Sequence, residues 1–191
     1  MSEPTDPWEL VAEWLPRNDD PDRPQLTLST VTPAGEADAR TVLLSEFDPA
    51  LGFYFHTDAL SRKASNIVNN GSVALTFLWP GFTRQLVVQG RAEVADPAEA
   101  SAAFRKRSPY LQELAWLNTF SYAQLPIEER RARWAEFAAE NANGFDQPDT
   151  WIGFLVRPTR MTFWNSNPDA ASRRIEYRES SGGWTIAYLP G

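Results

Sequence analysis

Three basic residues in this sequence lie beside apolar, strand-like runs and could together bind a phosphate. Arg40 opens the run R-T-V-L-L, and Arg62 and Lys63 follow Ser61 after a second apolar run. Cations gathered on one rigid surface are costly unless an anion meets them, and phosphate is the natural partner of such groups. The chain has no GxGxxG or GxxxxGK[ST] loop, so side chains would have to hold the phosphate. The alternative interpretation is three unrelated surface charges.

The elements that must position these cations follow from the alternation of apolar and polar residues and from the turn residues between them. Strands are predicted at residues 25–31, 37–47, 51–57, 72–79, 83–94, 151–156, 161–164, 173–178 and 184–189. Ser61 is predicted to cap a short helix through Ile67. A helix is predicted from Pro7 onward, with Asp6 as its cap and Pro7 in its first turn. Further helices are predicted at residues 97–107, 109–119 and 126–140. This order predicts an α+β fold with a mainly antiparallel barrel and surrounding helices.

Composition narrows the functional classes. A length of 191 residues fits one domain, and 42% hydrophobic residues with eight Trp indicate a globular protein. A net charge of −7 argues against a general nucleic-acid binder. The sequence has no Cys and one His, which excludes disulfides, thiol catalysis and iron–sulfur clusters and leaves no metal site to predict.

The start of the chain bears on location. It reads M-S-E-P-T-D, without a basic region followed by an apolar one, and no apolar run approaches the length of a membrane span. We therefore expect a cytoplasmic protein whose partners include neither membrane nor nucleic acid.

Three motifs carry a family resemblance. R-x-V-L-L at Arg40, then F-Y-F-H-T with S-R-K-A, then R-Q-x-x-V-x-G at Arg84 resemble, in order and spacing, the flavin site of the pyridoxamine 5'-phosphate oxidase family. The resemblance extends from Asp6 to Pro190 and includes a C-terminal set at Phe163, Trp164, Arg174, Tyr177, Trp184 and Pro190. It implies an FMN-binding split barrel that works as a homodimer, with a dimerisation segment at about residues 151–191.

The resemblance also implies roles for individual residues. In the family, the positions of Arg40, Arg62 and Lys63 contact FMN, largely around its phosphate and ribityl chain. The position of Gln85 meets the flavin ring, and amide contacts of this kind tune the electronics of the flavin. Trp164 and Arg174 match residues that reach the flavin from the other subunit. The full set of implied cofactor positions is Arg40, Val42, Leu43, His56, Thr57, Ser61, Arg62, Lys63, Gln85, Ser121, Trp164 and Arg174.

Each of these roles has a structural alternative. Lys63 could solvate a helix face, Gln85 could be an ordinary strand residue, and Trp164 could be a core aromatic. His56 is the one His and could act as an acid or base, although a packed strand residue near the cofactor is the simpler interpretation. No catalytic residue is identified from the sequence.

The substrate side departs from the family pattern. Ser45 stands where true pyridoxine phosphate oxidases have Lys, and Ala170 and Ser172 stand where they have an Arg and a His that grip the substrate. Of the residues that bind the substrate phosphate, Arg107 remains, while Ala103 replaces a Tyr and Leu111 replaces a Ser. Charge-assisted contacts are worth roughly 1.5–3 kcal/mol each, so the losses would lower phosphate affinity about 10³-fold or more. Arg107 and Ser45 are the implied substrate positions. On the cofactor side, Phe120 replaces the Gln before Ser121.

These departures leave three functions open. The leading hypothesis is an FMN-dependent oxidoreductase of this family that acts on an unidentified small molecule. The first alternative is a genuine pyridoxamine 5'-phosphate oxidase with a rearranged substrate clamp, in pyridoxal phosphate synthesis. The second is a flavin-binding protein without catalysis. Some smaller relatives use a deazaflavin or bind haem, and the long C-terminal segment favours FMN.

Overall fold

The computed structural model describes residues 3–191. Backbone contacts divide the chain into two compact units that interleave along the sequence. The first unit contains the residues up to Phe55, Asn66–Glu93 and Phe154–Gly191. The second contains His56–Ser65 and Val94–Gly153. The single-domain organisation expected from the sequence stays a prediction.

Groups of strands are separated by single helices and by one run of four helices along residues 3–191. The helices are α1 (Pro7–Trp14), α2 (Arg62–Asn69), α3 (Pro97–Lys106), α4 (Pro109–Leu117), α5 (Phe120–Ala123) and α6 (Ile127–Glu140), with a 3₁₀ turn at Pro80–Phe82. The strands are β1 (Gln25–Val31), β2 (Ala37–Leu43), β3 (Glu46–Asp48), β4 (Gly52–Asp58), β5 (Ser72–Leu78), β6 (Arg84–Val94), β7 (Trp151–Asn165), β8 (Arg173–Ser180) and β9 (Gly183–Pro190). Within residues 3–191, every helix is too short or too polar to cross a membrane.

The strands form one sheet with the order β2-β1-β5-β6-β7-β4-β3, and β8 pairs with β7 and with β9. These pairs of neighbouring strands are antiparallel: β1 with β2, β1 with β5, β5 with β6, β3 with β4, β7 with β8, and β8 with β9. Buried and exposed side chains alternate along the first half of β1, as expected of a strand with one face in the core. The predicted α+β fold with a mainly antiparallel sheet is confirmed.

The prediction of one strand over residues 37–47 is wrong, because the chain changes its hydrogen-bonding partner there. The amide of Leu44 donates to the carbonyl of Pro24 (2.9 Å), whereas the amide of Ser45 donates to the carbonyl of Tyr54 (2.8 Å). Strand β2 therefore ends at Leu43, and β3 is a separate strand paired with β4.

Two further boundaries differ from the prediction. The segments 151–156 and 161–164 are one continuous strand, β7, which includes Pro158. A proline removes one backbone donor and fixes φ at a value that an extended chain tolerates, so it does not have to end a strand. The short helix α5 was not predicted, and Thr119 caps it by accepting a hydrogen bond from the amide of Tyr122 (3.2 Å).

The core of the first unit lies between helix α1 and the sheet. Asp6 accepts a hydrogen bond from the amide of Trp8 (3.0 Å), with Pro7 in the first turn, as the sequence predicted. The indole of Trp8 packs on Phe53 with 5.1 Å between ring centroids. The indole of Trp14 meets Phe163 edge-on at the same distance.

The second unit has a smaller core built around Trp151. Ala100 and Phe104 of α3 are buried with it, and Ala115 and Phe145 pack against them. The indole N–H of Trp151 donates to the carbonyl of Ala100 at 2.9 Å. This core holds α3 against the start of β7.

Candidate functional site

The end of β4 and the first turn of α2 bring together three of the predicted cofactor residues. The ammonium group of Lys63 donates to the hydroxyl of Thr57 at 3.1 Å. The hydroxyls of Thr57 and Ser61 lie 3.3 Å apart. Ser61 also accepts a hydrogen bond from the amide of Ala64 at 3.4 Å, which is the cap predicted from the sequence. We call Thr57, Ser61, Arg62 and Lys63 the β4–α2 cluster.

The chemistry of the β4–α2 cluster suits a phosphate. Arg62 is the first residue of α2 and its side chain is exposed, while Lys63 is half-buried. A guanidinium, an ammonium group and two hydroxyls surround a helix start, where backbone N–H groups and the helix dipole also favour an anion.

Arg40, in the first unit, is ion-paired with a carboxylate of its own chain. Its guanidinium is ion-paired with Asp38, and both side chains are about one-sixth exposed (16% and 15%). It also donates to the carbonyl of Leu28 (3.1 Å) and to the hydroxyl of Thr30 (2.8 Å). The amide of Asn66 donates to Thr30 and Asp38. Asp38 therefore supplies an anion to Arg40 within the chain, and the assignment of Arg40 to the cofactor stays a prediction.

Asp38 was not among the residues predicted from the sequence, although its spacing from Arg40 was a usable signal. Asp38 and Arg40 are two residues apart on β2, and residues at that spacing point to the same face of a strand. The part played by Asn66 had no such signal, because 28 residues separate it from Asp38.

The other predicted positions on β2, on β6 and between β2 and β3 are half-buried in the first unit. Val42 lies opposite Leu26 and Leu43 opposite Gln25 in the β1–β2 register. Gln85 lies opposite Leu78. Ser45 is one of the two implied substrate positions, and its backbone amide donates a hydrogen bond to the carbonyl of Tyr54.

Trp164 and Arg174 are brought together, since they face each other in the register of β7 and β8. The indole N–H of Trp164 donates to the hydroxyl of Ser172 at 2.9 Å. Arg174 donates to the carbonyl of Pro190 at 2.9 Å. Ser172, which replaces the His of the family pattern, thus orients Trp164. Ala170 is exposed.

His56 is enclosed within the second unit. Its side chain is fully buried (0% exposed), and its Nε2 lies 3.1 Å from Oε2 of Glu99. The imidazole stacks on Trp151, and a methyl group added at Gly153 would lie 3.0 Å from both His56 and Glu99. These contacts account for His56 as a packed strand residue. No local pattern pointed to Glu99, which is 43 residues away from His56 in the chain.

Arg107, the retained residue of the substrate clamp, lies over the face of Trp151 with its Cζ 4.6 Å from the ring centroid. Its Nε donates to the carbonyl of Leu111 at 3.3 Å. Burial lowers the pKa of Arg107 to about 10, which leaves it cationic at neutral pH. None of these contacts is with a carboxylate of residues 3–191, so Arg107 can receive an anionic group. Ser121 is exposed at the start of α5, 3.1 Å from the hydroxyl of Thr119.

The sequence matches two family models. Residues 13–144 match the model described as pyridoxamine 5'-phosphate oxidase. Residues 151–190 match the pyridoxine 5'-phosphate oxidase C-terminal dimerisation region.

Curated proteins of similar length also resemble the chain. A pyridoxine/pyridoxamine 5'-phosphate oxidase of Caulobacter vibrioides is 35% identical over 191 residues, which cover 96% of this chain and 84% of that protein. A protein of the same name from Rhodospirillum rubrum is 36% identical over 195 residues and covers 98% and 97%.

Two solved structures share the fold over the whole chain. PhzG from Burkholderia lata 383, in complex with tetrahydrophenazine-1-carboxylic acid, has a TM-score of 0.85 at 24% identity and covers 100% of this chain and 95% of its own. A pyridoxamine 5'-phosphate oxidase-related, FMN binding protein from Nostoc punctiforme PCC 73102 has a TM-score of 0.75 at 19% identity, with full coverage of both chains. The predicted split-barrel fold is confirmed.

Proposed function

Because the chain belongs to the pyridoxamine 5'-phosphate oxidase family, we propose that it is an FMN-dependent oxidoreductase acting on a small molecule. The match of residues 13–144 to the family model carries this proposal. The β4–α2 cluster supports it, since its cations and hydroxyls suit the phosphate of FMN. The FMN binding protein of Nostoc punctiforme, which shares the fold, is consistent with the same cofactor.

In this proposal the residues of the β4–α2 cluster bind the cofactor phosphate. Lys63 and Arg62 neutralise its charge, and the hydroxyls of Thr57 and Ser61 donate to its oxygens. A bound flavin would supply the redox chemistry, and the protein would supply binding, orientation and electrostatics. The other implied positions, Arg40, Val42, Leu43, His56, Gln85, Ser121, Trp164 and Arg174, stay predictions.

The cofactor assignment is tested by comparing FMN with riboflavin, which lacks the phosphate. Lys63→Met should weaken FMN binding about tenfold or more, because a charge-assisted hydrogen bond is lost, and should leave riboflavin binding unchanged. Lys106→Met removes a cation from α3 and serves as the control. Unchanged FMN affinity in Lys63→Met, measured by flavin fluorescence titration, would refute the phosphate assignment.

We propose that the substrate carries less negative charge than pyridoxamine 5'-phosphate. Ser45, Ala170 and Ser172 stand where the family pattern has Lys, Arg and His, and Ser172 is engaged by Trp164. Arg107 remains as a desolvated cation. A substrate with one carboxylate would match one such group, whereas a poorly paired buried phosphate is costly.

A second candidate, pyridoxamine 5'-phosphate oxidase activity, is favoured by the names of the relatives that are 35% and 36% identical. The two candidates are separated by oxygen consumption of FMN-loaded protein. The test compounds are pyridoxine 5'-phosphate, pyridoxamine 5'-phosphate and a reduced aromatic heterocycle with one carboxylate, the class to which the Burkholderia lata ligand belongs.

The outcomes of this assay are distinct. We expect negligible turnover of both phosphate esters. A kcat/KM near the usual enzyme range of about 10⁴ M⁻¹s⁻¹ upward with either one would establish the second candidate. Tight FMN binding with no oxidation of any compound would favour a flavin-binding protein without catalysis.

We further propose a homodimer in which Trp164 and Arg174 contact the flavin of the other subunit. The match of residues 151–190 to the family's dimerisation region supports it. Sedimentation of the flavin-loaded protein tests it, and a stable loaded monomer would overturn it. The cytoplasmic location stays a prediction of the sequence.

A further inference from the structure

The helices α4, α5 and α6 of the second unit surround a cavity that no part of the proposed flavin chemistry uses. Its volume is about 360 Å³ and most of its lining is apolar. This volume lies within the range of small-molecule sites, roughly 300–1,000 Å³, which are typically apolar with a few placed polar groups. All three helices contribute to the walls, through Leu114, Leu117, Tyr122, Ile127, Arg130 and Trp134.

Arg130 distinguishes this cavity from an ordinary gap between helices. Arg131 also lines the cavity but is paired with Glu128, and Arg133 on the same helix is paired with Glu129. The residues three and four positions before Arg130 are Ile127 and Pro126, so it has no glutamate at the spacing that stabilises such pairs.

The Nε of Arg130 is also buried without a hydrogen-bond acceptor among the described residues. Leaving a buried donor unsatisfied is unfavourable. The hydroxyl of Tyr122 donates to the backbone carbonyl of Arg130, which ties α5 to α6 beside this donor. Arg130 also lines the cavity, so a carboxylate bound there would meet the guanidinium at those of its atoms that face the cavity.

We propose that this cavity is a second ligand site, which takes a flat apolar molecule of one or two rings bearing one carboxylate. The carboxylate meets Arg130, and the rings pack against Leu114, Leu117 and Trp134. The cations of the β4–α2 cluster do not line the cavity, so this site is separate from the proposed phosphate site.

The test compares naphthalene-2-carboxylate with naphthalene-2-carboxamide, which has nearly the same shape and no charge. Binding is measured by isothermal titration calorimetry on full-length protein with saturating FMN added. The carboxylate should bind at one site per chain and about tenfold or more tighter than the carboxamide. Arg130→Met should abolish this preference, because it keeps an apolar stem and removes the charge.

Two further variants complete the design. Arg133→Met removes an exposed, paired cation from the same helix and should leave both affinities unchanged. Leu117→Trp fills the cavity and should weaken both probes, which keeps the proposal testable if Arg130→Met does not fold.

The proposal is overturned by three results. The first is equal affinity for the two probes, which would mean that the charge of Arg130 does not contribute to binding. The second is an equal loss in Arg133→Met, which would indicate general charge attraction. The third is displacement of the carboxylate by FMN, which would place the probe in the flavin site. FMN affinity is titrated separately, so a failed cofactor proposal and a failed second site are distinguished.

Discussion

The imidazole of His56 lies flat against the indole of Trp151, with 5.3 Å between ring centroids and 5° between ring planes. Glu99 fixes the imidazole in this position by a contact of 3.1 Å to Nε2. The stack joins the end of β4, where the β4–α2 cluster begins, to the core of the second unit. The side chain of the one His of this chain is thus held by packing and by a contact with a carboxylate.

The first prediction is that Glu99→Ala destabilises the protein by about 1–3 kcal/mol, because the buried His56 loses its hydrogen-bond partner. Urea unfolding measures the change. Glu93→Ala removes a half-exposed ion pair with Arg157 and serves as the control, with an expected loss of about 0–1 kcal/mol. Equal losses of stability in the two variants would show that the contact between Glu99 and His56 contributes no more than an exposed ion pair.

A second prediction concerns Arg40 and Asp38. Arg40→Met should lower the free energy of unfolding by about 3–5 kcal/mol, because a mostly buried carboxylate loses its cation. The double variant Arg40→Met/Asp38→Leu should recover part of this loss. If Arg40→Met weakened FMN binding and left the unfolding midpoint unchanged, Arg40 would serve a ligand and the interpretation of the ion pair would fail.

The third prediction explains the glycine of the R-Q-x-x-V-x-G motif. A Cβ at Gly90 would lie 2.0 Å from the carbonyl oxygen of Arg157, so no side chain fits where β6 meets β7. Gly90→Ala should destabilise by about 1–3 kcal/mol or more. Gly182→Ala, with nothing within 4 Å of the added carbon, should change stability by less than about 0.5 kcal/mol. Thermal unfolding of both variants decides the point.

The fourth prediction is a pH dependence of stability. Burial, followed by repulsion from Glu3, raises the pKa of Tyr177 to about 12 from 10.0. Between pH 10 and 12 the unfolded chain loses this proton while the folded chain keeps it, so the free energy of unfolding falls as pH rises. Relative to pH 9, this loss is about 1.4 kcal/mol at pH 11.

Tyr177→Phe isolates that contribution. The variant should be less stable at pH 9, because it lacks the hydrogen bond to the carbonyl of Pro4 (2.9 Å), and its stability should fall less steeply toward pH 11. Tyr110→Phe, at an exposed position, should keep the original slope. Parallel slopes for Tyr177→Phe and the parent protein in urea unfolding at both pH values would contradict the raised pKa.

Local patterns in the sequence predicted most of the secondary structure. The alternation of apolar and polar residues predicted β1, and Asp6 with Pro7 predicted the start of α1. Both signals depend only on neighbours a few residues apart. The same local reasoning failed at residues 37–47. There the chain pairs first with β1, through β2, and then with β4, through β3. The residues of a strand do not by themselves specify which other strand it pairs with.

The sequence by itself determined the fold class, the family and the identity of the cations and hydroxyls that begin α2. Only the tertiary structure decided their electrostatic surroundings. It gave Arg40 a carboxylate on its own strand and placed Glu99 beside His56 across 43 residues. It also buried the Nε of Arg130 with no acceptor from the described part of the chain. The physical reason is that pairing and burial depend on contacts between distant segments, which exist only after the chain has folded.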